Sequence, residues 1–141
     1  MRAILFRGKR IDNGEWVYGG CAVTENQVYL IYNQAHSIDL QGFTVDENTI
    51  GQYTGLADKN GKRIFEGDVY TRRDDYVDYH ACVICFGDYF DGYANRYATM
   101  AHGFYVKPLD GGTYNFAGAG YSEIEISGNI HDNPELLEVG E

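Results

Sequence analysis

Apolar and aromatic runs of strand length, broken by polar stretches that carry glycine, set the pattern of this chain. Ala3-Ile4-Leu5-Phe6 and Trp16-Val17-Tyr18 flank Asp12-Asn13-Gly14-Glu15, and an Asn-Gly pair readily takes the positive φ angles of a tight hairpin. The first two strands are therefore expected to pair antiparallel. A third is expected over Gln27 to Tyr32, then a loop over the polar stretch Asn33 to Gln41, then a strand at Phe43-Thr44-Val45. Asp58-Lys59-Asn60-Gly61-Lys62 is a stronger turn signal, set between Gln52-Tyr53-Thr54-Gly55-Leu56 and Arg63-Ile64-Phe65. Glu66-Gly67-Asp68 then turns into a new strand at Val69.

Further strands are expected near Val69 to Arg72, His80 to Phe86, Phe104 to Lys107 and Tyr121 to Ser127, joined by glycine-containing connections. That spacing suits a small antiparallel barrel, and a Gly-Asp pair feeding an apolar strand is compatible with an SH3-like one. At the close, Asn133-Pro134-Glu135-Leu136-Leu137 fits a helical turn, with Asn133 as cap and Pro134 at its first position. The expected fold is all-β and mainly antiparallel: an SH3-like small barrel with an N-terminal β extension and a short C-terminal helical turn. Residues 1–56 form the hairpin and strand region and 57–141 the barrel-like region, within one continuous domain.

Composition agrees with this picture. Hydrophobic residues make up 44% of the chain, with 13 Tyr and 7 Phe, enough for a packed core; the 18 Gly are nearly twice the usual share of ~7%. Charge narrows the partners. With 21 acids against 11 bases the net charge is −10, a field that repels phosphate, so binding of nucleic acid is not expected outside a local patch. Arg7, Lys9 and Arg10 beside Phe6 and Trp16 are the one basic and aromatic combination of that kind. The N-terminal apolar stretch is too short for a signal peptide and no run approaches the ~18 residues of a membrane span. The expectation is a cytoplasmic protein with no membrane contact, its three cysteines reduced.

Candidate chemistry is sparse. His80, Cys82 and Cys85 form H-x-C-x-x-C, but the intervening Val83 and Ile84 read as strand, where residues three apart point to opposite faces and cannot close on one ion. Asp58 to Glu66 mismatches a calcium loop, since its glycine, Gly61, falls at position 4 and not 6, and Lys62 at position 5 would put a cation where an oxygen ligand belongs. Glu66, Asp68, Asp74, Asp75, Asp78, Asp88 and Asp91 offer carboxylates for metal-assisted hydrolysis, although a Gly-Asp at a strand start usually uses the aspartate locally. The four histidines lack a nucleophile context, and Gly111-Gly112 and Gly118-Ala119-Gly120 lack the Lys-Ser/Thr of a phosphate loop. No catalytic residue, metal or cofactor is assigned. The Tyr-rich stretch Tyr89 to Tyr105 has the make-up of an adaptable recognition loop.

Four segments, Phe6 to Arg10, Asn13-Gly14-Glu15-Trp16-Val17-Tyr18-Gly19, Ile50 through Val69 and Gly128-Asn129-Ile130-His131-Asp132-Asn133-Pro134-Glu135-Leu136-Leu137, together resemble the YopX family of phage and prophage proteins. The resemblance spans both ends and the centre, about half the chain, and leaves residues 20–49 and 72–120 unmatched, with Asn95 to His102 as the place where a variable insertion could sit. It implies a β-rich fold, a bacteriophage or prophage origin, an intracellular setting and no assigned biochemical activity, so no catalytic residue carries over. The motif surface to watch is Gln52, Tyr53, Glu66 and Asp68.

The functional expectation is a non-catalytic accessory protein that binds or assembles through protein contact. It would act as a homo-oligomer or with a phage or host protein, using open β-edges or the terminal turn. Two alternatives stand beside it: a metal-dependent hydrolase or nuclease using Glu66 and Asp68, and an acidic mimic that inhibits a host nucleic-acid-binding protein. For Asp68 the structural expectation is specific: Val69 points into the core while the Asp68 carboxylate accepts backbone N–H groups at the turn.

Overall fold

A computed structural model describes residues 4–33, 41–72, 80–91, 99–109, 114–115 and 123–137, without the side chains of residues 33, 41, 72, 80, 91, 99, 114 and 115. The all-β expectation holds: eleven strands pair antiparallel among the described residues. The chain forms two compact units, residues 1–55 and 56–141.

In the first unit, β1 (Phe6–Lys9), β2 (Trp16–Val23), β3 (Tyr29–Asn33), β4 (Gln41–Thr44) and the first part of β5 (Gly51–Ala57) lie in the order β4-β3-β2-β1-β5. The Asn-Gly hairpin forms where expected: Lys9 pairs with Trp16, Gly14 has φ +72°, and Asn13 Oδ1 accepts the Glu15 N–H at 2.9 Å. Ile31 and Val45 are its most buried hydrophobic residues. Two glycines let the layers close. A Cβ on Gly8 would lie 3.1 Å from Val45, and one on Gly20 would land on the Tyr32 ring. A 3₁₀ turn at Glu47–Thr49 was not expected; Asp46 caps it by accepting the Asn48 N–H at 3.0 Å.

In the second unit, the end of β5 and β6 (Arg63–Phe65) form a hairpin. β7 (Asp68–Arg72), β8 (His80–Asp91), β9 (Thr99–Pro108), β10 (Tyr114–Asn115) and β11 (Ile126–Asn129) form a sheet in the order β10-β9-β8-β7-β11. Its core is Ile64, Tyr70, Cys82, Ile84, Val106, Ile124 and Ile126, with Leu56 and Phe104 packed against it. A short 3₁₀ turn, Pro134–Leu137, follows.

Three expectations are corrected in extent. β8 and β9 run to 12 and 10 residues, past the boundaries expected at Phe86 and Phe104, because Gly87 and Gly103 pair with each other inside the ladder and do not end it. The last strand begins at Ile126, not Tyr121, and that residue lies outside the described ones. The recognition loop expected over Tyr89 to Tyr105 is strand at both ends, Tyr89 to Asp91 and Thr99 to Tyr105, and residues 92–98 lie outside the described residues.

Candidate interaction surface

Two motif acids, Asp58 and Asp68, are committed to the backbone. Asp58, at the hairpin between β5 and β6, accepts the N–H groups of Asn60 and Lys62 on Oδ1, both at 2.9 Å, and that of Ile126 on Oδ2 at 3.0 Å. Burial disfavours its charge, but those three N–H groups and Lys62 more than offset it and hold the carboxyl below its ordinary range. Lys59 N–H to Ile124 O at 3.0 Å and Asn60 Nδ2 to Glu125 Oε1 at 3.1 Å fasten the same turn to the approach of β11. The hairpin turn was legible in the sequence; its role as a clamp on a strand 68 residues away was not.

Asp68 behaves as expected of a turn aspartate. Gly67 has φ +92°, Val69 is fully buried, Asp68 is 1% exposed, and its Oδ2 accepts the Phe65 N–H at 2.8 Å. Gly67 itself bridges two elements, donating to Ile84 O and accepting from Ile130 N–H. A carboxylate so enclosed and so bonded is a poor metal ligand. Glu66 is half-buried near Cys85 and Tyr105. Gln52 and Tyr53, half-buried on β5, belong to the first unit, whereas Glu66 and Asp68 belong to the second.

The Gly128 to Leu137 motif is likewise a brace. Asn129 Oδ1 accepts the N–H groups of His131 and Asp132 at 3.0 and 2.9 Å, and its Nδ2 donates to Asp132 Oδ2 at 3.1 Å. Asn133 differs from expectation. Its Oδ1 accepts the Asn129 N–H at 3.2 Å and so is turned to β11 and not to the N–H groups of the 3₁₀ turn; toward the turn its Nδ2 donates to Glu135 Oε1 at 3.4 Å and its carbonyl accepts from Leu136.

The cysteines fall on opposite faces of β8. Cys82 is fully buried in the core and Cys85 half-exposed behind it. Burial pushes the Cys85 thiol up, against the pull of Tyr105 and Lys107, and burial also raises Tyr105. A neutral thiol beside a neutral phenol is not a nucleophile–base pair. The His80 side chain, the carboxylates of Asp74, Asp75, Asp78 and Asp91, and the glycines at 111, 112, 118 and 120 lie outside the described residues. The basic patch is partly spent: Arg7 is 5% exposed, with its guanidinium 4.6 Å from the Trp16 ring centroid. Arg10 makes two bonds to Asp12, at 2.9 and 2.6 Å, which hold the Asp12 carboxyl below its ordinary range.

Among the described residues, one face of the β8–β9 hairpin beyond the core groups several exposed apolar side chains on paired strands. Alternation places Ile84 and Val106 of each strand in the core, and the next positions on the same face are Phe86 opposite Phe104, Asp88 opposite His102, and Phe90 opposite Met100. Phe86, Phe90 and Met100 are 41%, 56% and 59% exposed. Between them Asp88 Oδ1 meets His102 Nδ1 at 2.8 Å, and Phe86 packs edge-on to both His102 and Phe104. On the opposite face Tyr89 stacks on Tyr105, with ring centroids 4.8 Å apart. The glycine pair separates these two rings along the ladder, and at φ +144° and +149° it takes a backbone conformation other residues rarely adopt. The period-two alternation of Ile84, Phe86, Asp88 and Phe90 was the available sequence signal for this face.

A family model described as YopX protein matches residues 5–138. The chain belongs to the YopX family. The match runs through residues 20–49 and 72–120, where the quoted motifs did not reach. No curated protein matches the chain. In this YopX protein the motif residues Gly8, Gly14, Asp58, Gly67, Asp68, Gly128, Asn129 and Asn133 have structural duties: close approach, turn conformation and backbone satisfaction. Among the described residues no helix is long and apolar enough to cross a membrane.

Proposed function

We propose that this YopX protein is a phage- or prophage-encoded accessory protein of the cytoplasm that works by protein contact, as a non-catalytic binding or assembly module. The observation that carries this reading is the outward face of the β8–β9 hairpin. Three large apolar side chains, Phe86, Phe90 and Met100, stand exposed on one face of two paired strands, a grouping of apolar and polar groups associated with protein–protein contact. Asp88 and His102 supply polar groups between the two apolar rows. The hydrolase alternative draws less support, because Asp68 accepts a backbone N–H and is almost fully enclosed.

A photo-crosslinking residue placed at position 90, in the full chain expressed in phage-carrying cells, tests the reading. Protein adducts at that position, absent when the crosslinker replaces exposed Val23 in β2, are the expected result. Equal adduct yields at both positions, or none at 90, overturn it.

A further inference from the structure

The hairpin face carries a pattern that selects one occupant. Its six side chains form three cross-strand rows: Phe86 with Phe104, Asp88 with His102, and Phe90 with Met100. The middle row holds one acid and one base, bonded to each other at 2.8 Å with 72% and 65% of their side chains exposed. The face therefore presents one carboxylate acceptor and one imidazole, a ring able to donate to it, on a chain of net charge −10. A strongly basic partner would find one carboxylate there; a partner with its own acid and base in matching places would find complements for both.

We propose that this face docks a second copy of the chain through a two-fold axis lying in the interface and running parallel to β8 and β9. Rotation about that axis exchanges the two strands while keeping each row at its level. Asp88 of one copy then meets His102 of the second copy, and the reciprocal pair forms beside it. Phe90 meets the second copy's Met100 twice, an aromatic–thioether contact that is favourable in its own right. Phe86 meets the second copy's Phe104. An in-plane axis perpendicular to the strands would set Asp88 against Asp88 and Phe86 against Phe90, so like-charge contact excludes it. A two-fold interface is self-complementary by construction, which is the property this face has. Six side chains on a two-stranded face cover less than the ~800 Å² per partner of a standard interface, so the association is reversible and concentration-dependent. The inference rests on the protein-contact reading and names its partner.

Sedimentation equilibrium of the purified full chain up to about 1 mM is the test. The wild type is expected to shift from one to two chain masses with concentration. Association should tighten as salt rises, because screening relieves repulsion between two copies of charge −10. Phe90→Ser should weaken it by about tenfold or more. His102→Asp should lose self-association, because two carboxylates then meet across the axis, and Asp88→Lys should weaken it by removing the acceptor that meets His102. An equimolar mixture of those two variants should recover a mixed dimer at least as tight as the wild type. Near-UV circular dichroism of the Tyr89–Tyr105 stack checks that each variant keeps its fold.

A wild type that stays monomeric, a Phe90→Ser chain that associates normally, or a mixture no tighter than its components overturns the proposal. A monomeric wild type whose position-90 crosslinker still forms specific adducts with another protein removes the self-docking inference and leaves the contact reading standing. No specific adduct of either kind removes both.

Discussion

Replacing Asp58 by alanine tests the central clamp of the second unit. The carboxylate accepts three backbone N–H groups, two within its own turn and one from Ile126, and the residue is 6% exposed. After truncation, water can reach the Asn60 and Lys62 N–H groups, which are only part-buried. The Ile126 N–H lies in a buried bond and is left without an acceptor. A hydrogen bond to a charged group contributes ~1.5–3 kcal/mol and an orphaned buried donor costs ~1–3 kcal/mol, so with partial rehydration the expected loss is about 2–4 kcal/mol. Asp58→Asn should fall between alanine and wild type, because its amide oxygen serves the turn while its NH₂ meets the Ile126 donor. The pH dependence has a definite sign. A carboxyl held below its ordinary range in the fold stabilises the native state above the unfolded aspartate pKa of about 3.9 and loses that contribution as pH falls through the lower folded value. The gap between wild type and Asp58→Asn should therefore narrow as the pH is lowered below about 4. Urea titration followed by near-UV circular dichroism is the appropriate assay, since the Tyr89–Tyr105 stack lies in the second unit, whereas the sole tryptophan, Trp16, lies in the first. An Asp58→Ala chain within about 0.5 kcal/mol of wild type at pH 7, inside the scatter of ordinary surface substitutions, would falsify the clamp.

Asp68→Ala should cost about 1–3 kcal/mol by orphaning the Phe65 N–H; a variant that melts like wild type but loses a binding partner would instead make Glu66 and Asp68 a functional site. A Cβ on Gly128 displaces the Asn133 carboxamide that accepts from Asn129, so Gly128→Ala should destabilise by about 1–2 kcal/mol. The same change should cost measurably less in an Asn133→Ala background, and equal costs in a double-mutant cycle would refute the coupling. Burial raises the Cys21 and Cys85 thiols, so both should alkylate more slowly at pH 8 than glutathione, with rates still climbing above pH 9; a rate plateau near neutral pH at either cysteine would contradict the reading of inert thiols.

The two strongest turns show how far local chemistry reaches. Asn13-Gly14 and Asn60-Gly61 can be read from the chain because positive φ is nearly a property of the dipeptide: Gly14 and Gly61 sit at +72° and +82° as the residues alone require. The same holds for Gly67-Asp68, where a short acid beside a flexible glycine meets a backbone donor three residues away. All-β character follows from many such turns between aromatic and β-branched runs, and the opposite facing of Cys82 and Cys85 follows from the strand period.

Where a residue's duty lies far along the chain, the local signal misleads or is silent. Gly87 and Gly103 look like ends of strands, since a glycine after an apolar run usually marks a break. They lie inside one because each finds the other across the ladder, with the Tyr89 and Tyr105 rings stacked on either side of the pair. Asn133 reads as a helix cap from its neighbours, but the Asn129 N–H is the donor it meets once β11 is in place. Phe86, Phe90 and Met100 share the alternation of core residues and cannot be told from them by pattern. The buried core closes at Ile84 and Val106 with Phe104 packed against it, and beyond that boundary Phe86, Phe90 and Met100 stand exposed. Turn conformation and strand period act over two to four residues and are written in the chain itself; burial, cross-strand partners and the limits of a core depend on what arrives from tens of residues away, so folding alone decides them.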